Sequence, residues 1–134
     1  MAGATHDSHE LQHFRFSVRV EPRYEPKVSS LLESSYVFSY KVRIENTGQI
    51  AAKVSGRHWI VTDATNRTEE INKDGVLGQT PYLKPGDVFE YVGECPLPTK
   101  VGTMKGSFRC SLDSGTLVDV IVPEFVLAVP NALH

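Results

Sequence analysis

An unbroken alternation between Tyr36 and Asn46 limits this chain more than any other feature. Phe38, Tyr40, Val42 and Ile44 take one parity, and Ser39, Lys41, Arg43 and Glu45 take the other. Successive side chains point to opposite faces in an extended strand, so the segment reads as a strand with one buried and one wet face. A helix would scatter the same apolar residues around its circumference. The pattern recurs along the chain. Phe14, Phe16, Val18 and Val20 alternate with Arg15, Ser17, Arg19 and Glu21. Pro22 is expected to end that strand, because proline donates no ladder hydrogen bond. Ala51 to Thr62, Thr68 to Ile71, Asp87 to Gly93 and Met104 to Leu112 read as further strands. Thr116 to Val122 and Glu124 to Val129 read as two more, with Pro123 as a break. Turn residues separate them: Asn46-Thr47-Gly48, Asp63-Ala64-Thr65-Asn66 and Asp113-Ser114-Gly115. Leu83-Lys84-Pro85-Gly86 predicts a type II turn, with proline presetting φ and glycine taking positive φ. No segment has a sustained helical period, and Lys27 to Ser35 has room for one turn at most. Roughly eight short strands with regular turn signals predict an all-β sandwich.

Length and charge narrow the setting. The 134 residues suit one domain with its own core. Residues 1–12 read as a loose polar leader and 13–134 as the domain. A net charge of -2 gives no reason to expect a nucleic acid or a membrane surface as partner. No apolar run approaches the roughly 18 residues of a membrane span. The polar start lacks an apolar signal core, so a cytoplasmic location is expected. Two cysteines, Cys95 and Cys110, are too few for a disulfide framework and are expected as reduced thiols. Cys110 falls on the apolar parity of its strand. Cys95 stands at an expected strand end and is predicted to be the more exposed.

The sandwich type can be narrowed as well. Leu83-x-Pro85-Gly86-x-x-Phe89-x-Tyr91 is similar to the turn before a late strand of fibronectin type III domains, with Phe89 at the anchoring aromatic. The antibody-type order Cys…Trp…Cys is absent, because Trp59 precedes both cysteines. An immunoglobulin/fibronectin type III-like β-sandwich is therefore predicted.

Candidate functional residues gather in two places. Ser55-Gly56-Arg57-His58-Trp59 lies in a strand, and Lys73, Gly75 and Gly78 lie in an expected loop from Asn72 to Pro81. Glycines let backbone N–H groups approach an anion, and Arg57, His58 and Lys73 can add donors. The alternative is that Gly75 and Gly78 only supply positive φ. A dinucleotide site would need a following helix, but Pro81 and a strand follow. Arg57 and Trp59 share one strand face and His58 takes the other. Trp59 either joins Arg57 in an exposed patch or packs under the loop, and His58 is expected to bond to backbone. His6, Asp7, His9, Glu10 and His13 could ligate a transition metal, but they lie largely in the leader. No nucleophile motif and no assignable carboxylate pair occurs, so catalytic residues are not expected.

Taken in order, several motifs resemble the ApaG family. They are Ser55 to Asp63, then Gly75-Val76-Leu77-Gly78-Gln79-x-Pro81, then Leu83 to Gly86, Gly102-Thr103-Met104-x-Gly106, and Pro123-x-Phe125-x-Leu127-Ala128-Val129-Pro130. The resemblance covers residues 14 to 134. Where the family commonly has Gly-x-Gly-x-x-Gly, Lys73 occupies the first position. The resemblance implies the same sandwich. It also implies a link to cobalt resistance and magnesium efflux, and a binding role toward a protein partner or a small phosphorylated ligand. The other reading is a metal-assisted hydrolase or binder of pyrophosphate or nucleotides, with Mg or Co as the metal. No permanent cofactor is expected, and oligomeric state is open.

Overall fold

The alternating segment forms β2 (Tyr36–Asn46), the middle strand of a three-stranded antiparallel sheet in the order β1-β2-β6. The computed structural model describes residues 10–131, so His6, Asp7 and His9 lie outside the described residues. β1 (Phe16–Tyr24) pairs with β2 along its whole length, from Phe16↔Asn46 to Tyr24↔Phe38. Pro22 does not end it, contrary to expectation. β1 is an edge strand, where one side of the backbone has no partner and proline is tolerated. β6 (Val88–Leu97) lies on the other side of β2 and runs past Gly93, because its edge position tolerates Pro96 for the same reason.

The facing sheet has the order β4-β3-β7-β8, with β5 (Tyr82–Leu83) pairing to β3 at Ala52↔Leu83. It is built from β3 (Ala52–Asp63), β4 (Thr68–Asp74), β7 (Val101–Leu112) and β8 (Leu117–Ala128). β4 is longer than expected. Asn72, Lys73 and Asp74 pair with His58, Arg57 and Gly56 instead of forming loop. β8 also runs through Pro123. The register shifts between Met104 and Gly106, and this bulge takes up Pro123 and Glu124. The two antiparallel sheets make the immunoglobulin/fibronectin type III-like sandwich predicted from the alternation.

Trp59 occupies the middle of the core. Tyr40, Phe108 and Phe125 meet it edge to face at 5.5, 5.6 and 6.2 Å between ring centroids, a favoured aromatic geometry. Gly106 stands opposite Trp59 on β7. A Cβ there would collide with the His58 carbonyl oxygen and come within 2.9 Å of the indole, so the strand needs glycine. Both cysteines are buried, which corrects the expectation of an exposed Cys95. Burial pushes the Cys95 thiol up to about 11 and the Cys110 thiol up to about 12, so neither is a reactive thiolate at neutral pH.

A type II turn forms one residue later than the predicted Leu83 to Gly86: Asp87 N–H donates to Lys84 O at 2.9 Å, and Gly86 has φ +89°. It joins β5 of the larger sheet to β6 of the smaller one, so Phe89 stands at the start of the strand that follows a crossing between the sheets. Buried Asn46 ties the turn down. Its amide donates to Ile50 O at 2.9 Å and Leu83 O at 3.0 Å, and its side-chain oxygen accepts from Gly48 N–H at 2.9 Å.

Candidate functional site

β3 carries the site because it pairs on both sides and shows two different faces. A bulge between Val54 and Gly56 resets its register. Beyond it Arg57 and Trp59 point inward, and Gly56 and His58 point outward. Outside, the missing side chain of Gly56 leaves a shallow depression of about 210 Å³, walled by His58, Glu70, Asn72, Arg109 and Asp119. His58 Nε2 lies 2.6 Å from Glu70 Oε1. Its partner is thus a carboxylate on the neighbouring strand, which corrects the expected backbone bond. Arg109 and Asp119 lie 3.9 Å apart at exposed positions. An exposed pair of this kind adds little stability.

Inside, the motif residues separate. Trp59 is 1% exposed and belongs to the core, so it forms no exposed aromatic patch with Arg57. Arg57 reaches past it to the turn, where its Nη1 donates to Gly75 O at 2.7 Å. Lys73 is not beside the glycines; it lies in β4, directly opposite Arg57. His58 is brought to neither Arg57's guanidinium nor the turn.

Residues 75 to 79 form a compact hairpin tip. Val76 N–H donates to Gln79 O at 2.7 Å and Gln79 N–H to Val76 O at 2.9 Å. Leu77 and Gly78 between them have φ +50° and +77°, the two-positive pattern of a type I′ turn. Gly75 N–H donates to Ser55 O at 2.8 Å. Gly75 has φ +60°, and a Cβ there would collide with Gln79 O. The amides of Gly75, Val76 and Gln79 are thus engaged inside the protein, and the glycines do conformational work. Val76 is fully buried beneath the tip, while Leu77 projects from it, 58% exposed.

Sequence reasoning missed Leu77, Glu70 and the two core tyrosines near Arg57, Tyr40 and Tyr91. Leu77-Gly78 gave no clear signal, since a type I′ turn is announced by Asn, Asp or Gly at its first central position. The tyrosines gave none, because an inward aromatic on a strand reads as ordinary core.

The two facing antiparallel sheets place the chain in the class of immunoglobulin/fibronectin-like β-sandwich domains. Family comparison makes the class specific: the ApaG domain matches residues 26–112. The chain is 47% identical over 121 residues to protein ApaG of Bordetella pertussis, covering 90% of this chain and 92% of that protein. It is 45% identical over 115 residues to protein ApaG of Caulobacter vibrioides, covering 86% and 82%. A crystal structure of the Bordetella pertussis ApaA protein superposes with a TM-score of 0.85 at 47% identity, covering 88% of this chain and 96% of that one. A protein from Archaeoglobus fulgidus shares the fold alone, with a TM-score of 0.54 at 9% identity over 84% of this chain and 98% of that one. This chain belongs to the ApaG family.

Proposed function

We propose that the chain is a non-enzymatic binding module that presents the 75–79 tip to a protein partner, with a small phosphorylated ligand taken up beside it. The observation that carries this reading is Leu77. It is large and apolar, 58% exposed, and holds φ +50°. A non-glycine residue in that conformation costs about 1 kcal/mol. Folding alone favours Gly or Asn at such a position. The tip is also rigid: Val76 is buried, Gly75 O rests on Arg57 and Gly75 N–H on Ser55 O. An exposed apolar side chain held on a rigid support suits an anchor in a protein interface.

The resemblance to the ApaG family supplies the physiological link, divalent-cation homeostasis with cobalt resistance and magnesium efflux. A cytoplasmic setting goes with it. The hydrolase reading lacks a metal-binding residue set: among the described residues, no three His, Cys, Asp or Glu side chains gather.

Partner capture tests the proposal. Wild-type and Leu77→Asp chains are immobilised, exposed to a lysate of the source cells, and their bound proteins compared by mass spectrometry. A partner retained by wild type is expected to fall about tenfold or more with Leu77→Asp. Equal recovery by both folded chains would overturn the reading.

A further inference from the structure

Arg57 and Lys73 stand opposite each other on β3 and β4 and project to the same side, toward the smaller sheet. β4 overhangs the sandwich and is exposed along nearly its whole length. Like charges placed directly opposite across a ladder repel. Neither residue has a carboxylate at ion-pair distance among the described residues. Arg57 is half-buried and uses one N–H on Gly75 O. A charge withdrawn from water normally finds a counter-charge.

Two further groups near Arg57 also lack partners. Trp59 Nε1 and Tyr91 Oη are buried and make no hydrogen bond to protein atoms. Their residues are only 1% and 7% exposed. An unpaired buried donor costs about 1–3 kcal/mol. These groups share one neighbourhood. The Trp59 and Tyr91 rings both meet Phe108 edge to face, at 5.6 and 6.3 Å between centroids. The Trp59 N–H favours the ionised form of the Tyr91 hydroxyl without reaching hydrogen-bond geometry. The positive charge of Arg57 acts on the hydroxyls of both Tyr40 and Tyr91, against the burial that raises both pKa values. The Tyr40 ring is edge-on to Trp59 at 5.5 Å and spreads over Gly93, where a Cβ would collide with it. Every unpartnered group here is a cation or can donate a hydrogen bond, which is the complement of an oxyanion.

We propose that Arg57, Lys73, Tyr91 and Trp59 form a subsite for a tetrahedral oxyanion, inorganic phosphate or a phosphate monoester, at the β4–β6 edge of the sandwich. The subsite rests on the ligand half of the function proposed above and moves the anion from the glycine tip to the mouth of the core. Arg57 and Lys73 supply charge. The Trp59 N–H and Tyr91 O–H supply directional donors that a simple halide cannot use as well.

Trp59 is the sole tryptophan, so its indole N–H gives one unambiguous signal in a ¹H–¹⁵N spectrum. Inorganic phosphate is titrated against the full chain, with sodium chloride at matched ionic strength and acetate as parallel arms. A saturable shift of the indole signal with phosphate is expected, with chloride giving none and acetate a weaker response. Lys73→Gln, an exposed change that leaves the core alone, is expected to weaken phosphate binding about tenfold. Tyr91→Phe should do the same in a folded chain. An indole signal unmoved by phosphate, or one that chloride moves equally, would overturn the subsite. So would an undiminished response in Lys73→Gln. Leu77→Asp should keep the phosphate response, so loss of partner capture and loss of the subsite are separable outcomes.

Discussion

Two short turns of this protein solve the same geometric problem in opposite ways. At Lys84 to Asp87, Pro85 and Gly86 occupy the positions a type II turn favours, and Gly86 alone takes positive φ. Asn46 then holds the preceding residue, Leu83, by its carbonyl. Local preference and global fold agree at every residue. At Val76 to Gln79 the first central position also needs positive φ, but leucine fills it and its side chain faces solvent. Where local preference and fold disagree, the disagreement points to function rather than stability. The first turn positions strands, and the second presents a side chain.

The contrast can be broken most severely at Asn46. Asn46→Ala would leave the carbonyls of Ile50 and Leu83 and the N–H of Gly48 without their partner. Loss of about 2–4 kcal/mol is expected, read as a lower urea midpoint with an unchanged slope. Gly86→Ala comes next. A side chain at φ +89° meets no neighbour within 4 Å, so the penalty is backbone strain alone. It should be about 1–2 kcal/mol in the same assay.

A third turn extends the comparison through pH. Asp63 accepts from the Thr65 hydroxyl at 2.7 Å, Thr65 N–H at 2.8 Å and Arg67 N–H at 3.1 Å. These bonds, the Thr65 hydroxyl first, hold its carboxyl below the usual carboxylate range despite some desolvation. A folded-state value below the unfolded one gives stability that is present above about pH 4. That stability is lost as pH falls through the lower folded value. Asp63→Asn should therefore be less stable than wild type at neutral pH. Its midpoint should also fall less between pH 5 and pH 3, followed by urea unfolding across that range.

The strands were legible because alternation is set by burial alone: Phe38, Tyr40, Val42 and Ile44 face the core as their parity predicts. Errors fell at prolines. Pro22, Pro96 and Pro123 all lie within strands, and local rules cannot see that β1, β6 and β8 are edges. The site was legible only in part. Arg57 and the positive φ of Gly75 and Gly78 followed from residue type. Lys73 moved from loop to strand because β4 gains pairing from β3, a long-range effect. The surroundings of Arg57 were hidden because Tyr40 and Tyr91, whose hydroxyls feel its charge, belong to the opposite sheet. Leu77 was overlooked because an apolar residue between glycines carries no local mark of exposure.

Leu77→Gly tests the central claim most directly, because glycine suits the turn better and removes only the presented side chain. Equilibrium unfolding and partner capture are measured on the same preparation. The account predicts stability equal to wild type or higher by up to about 1 kcal/mol, together with loss of the captured partner. A Leu77→Gly chain that is clearly destabilised, or that captures the partner as well as wild type, would contradict it.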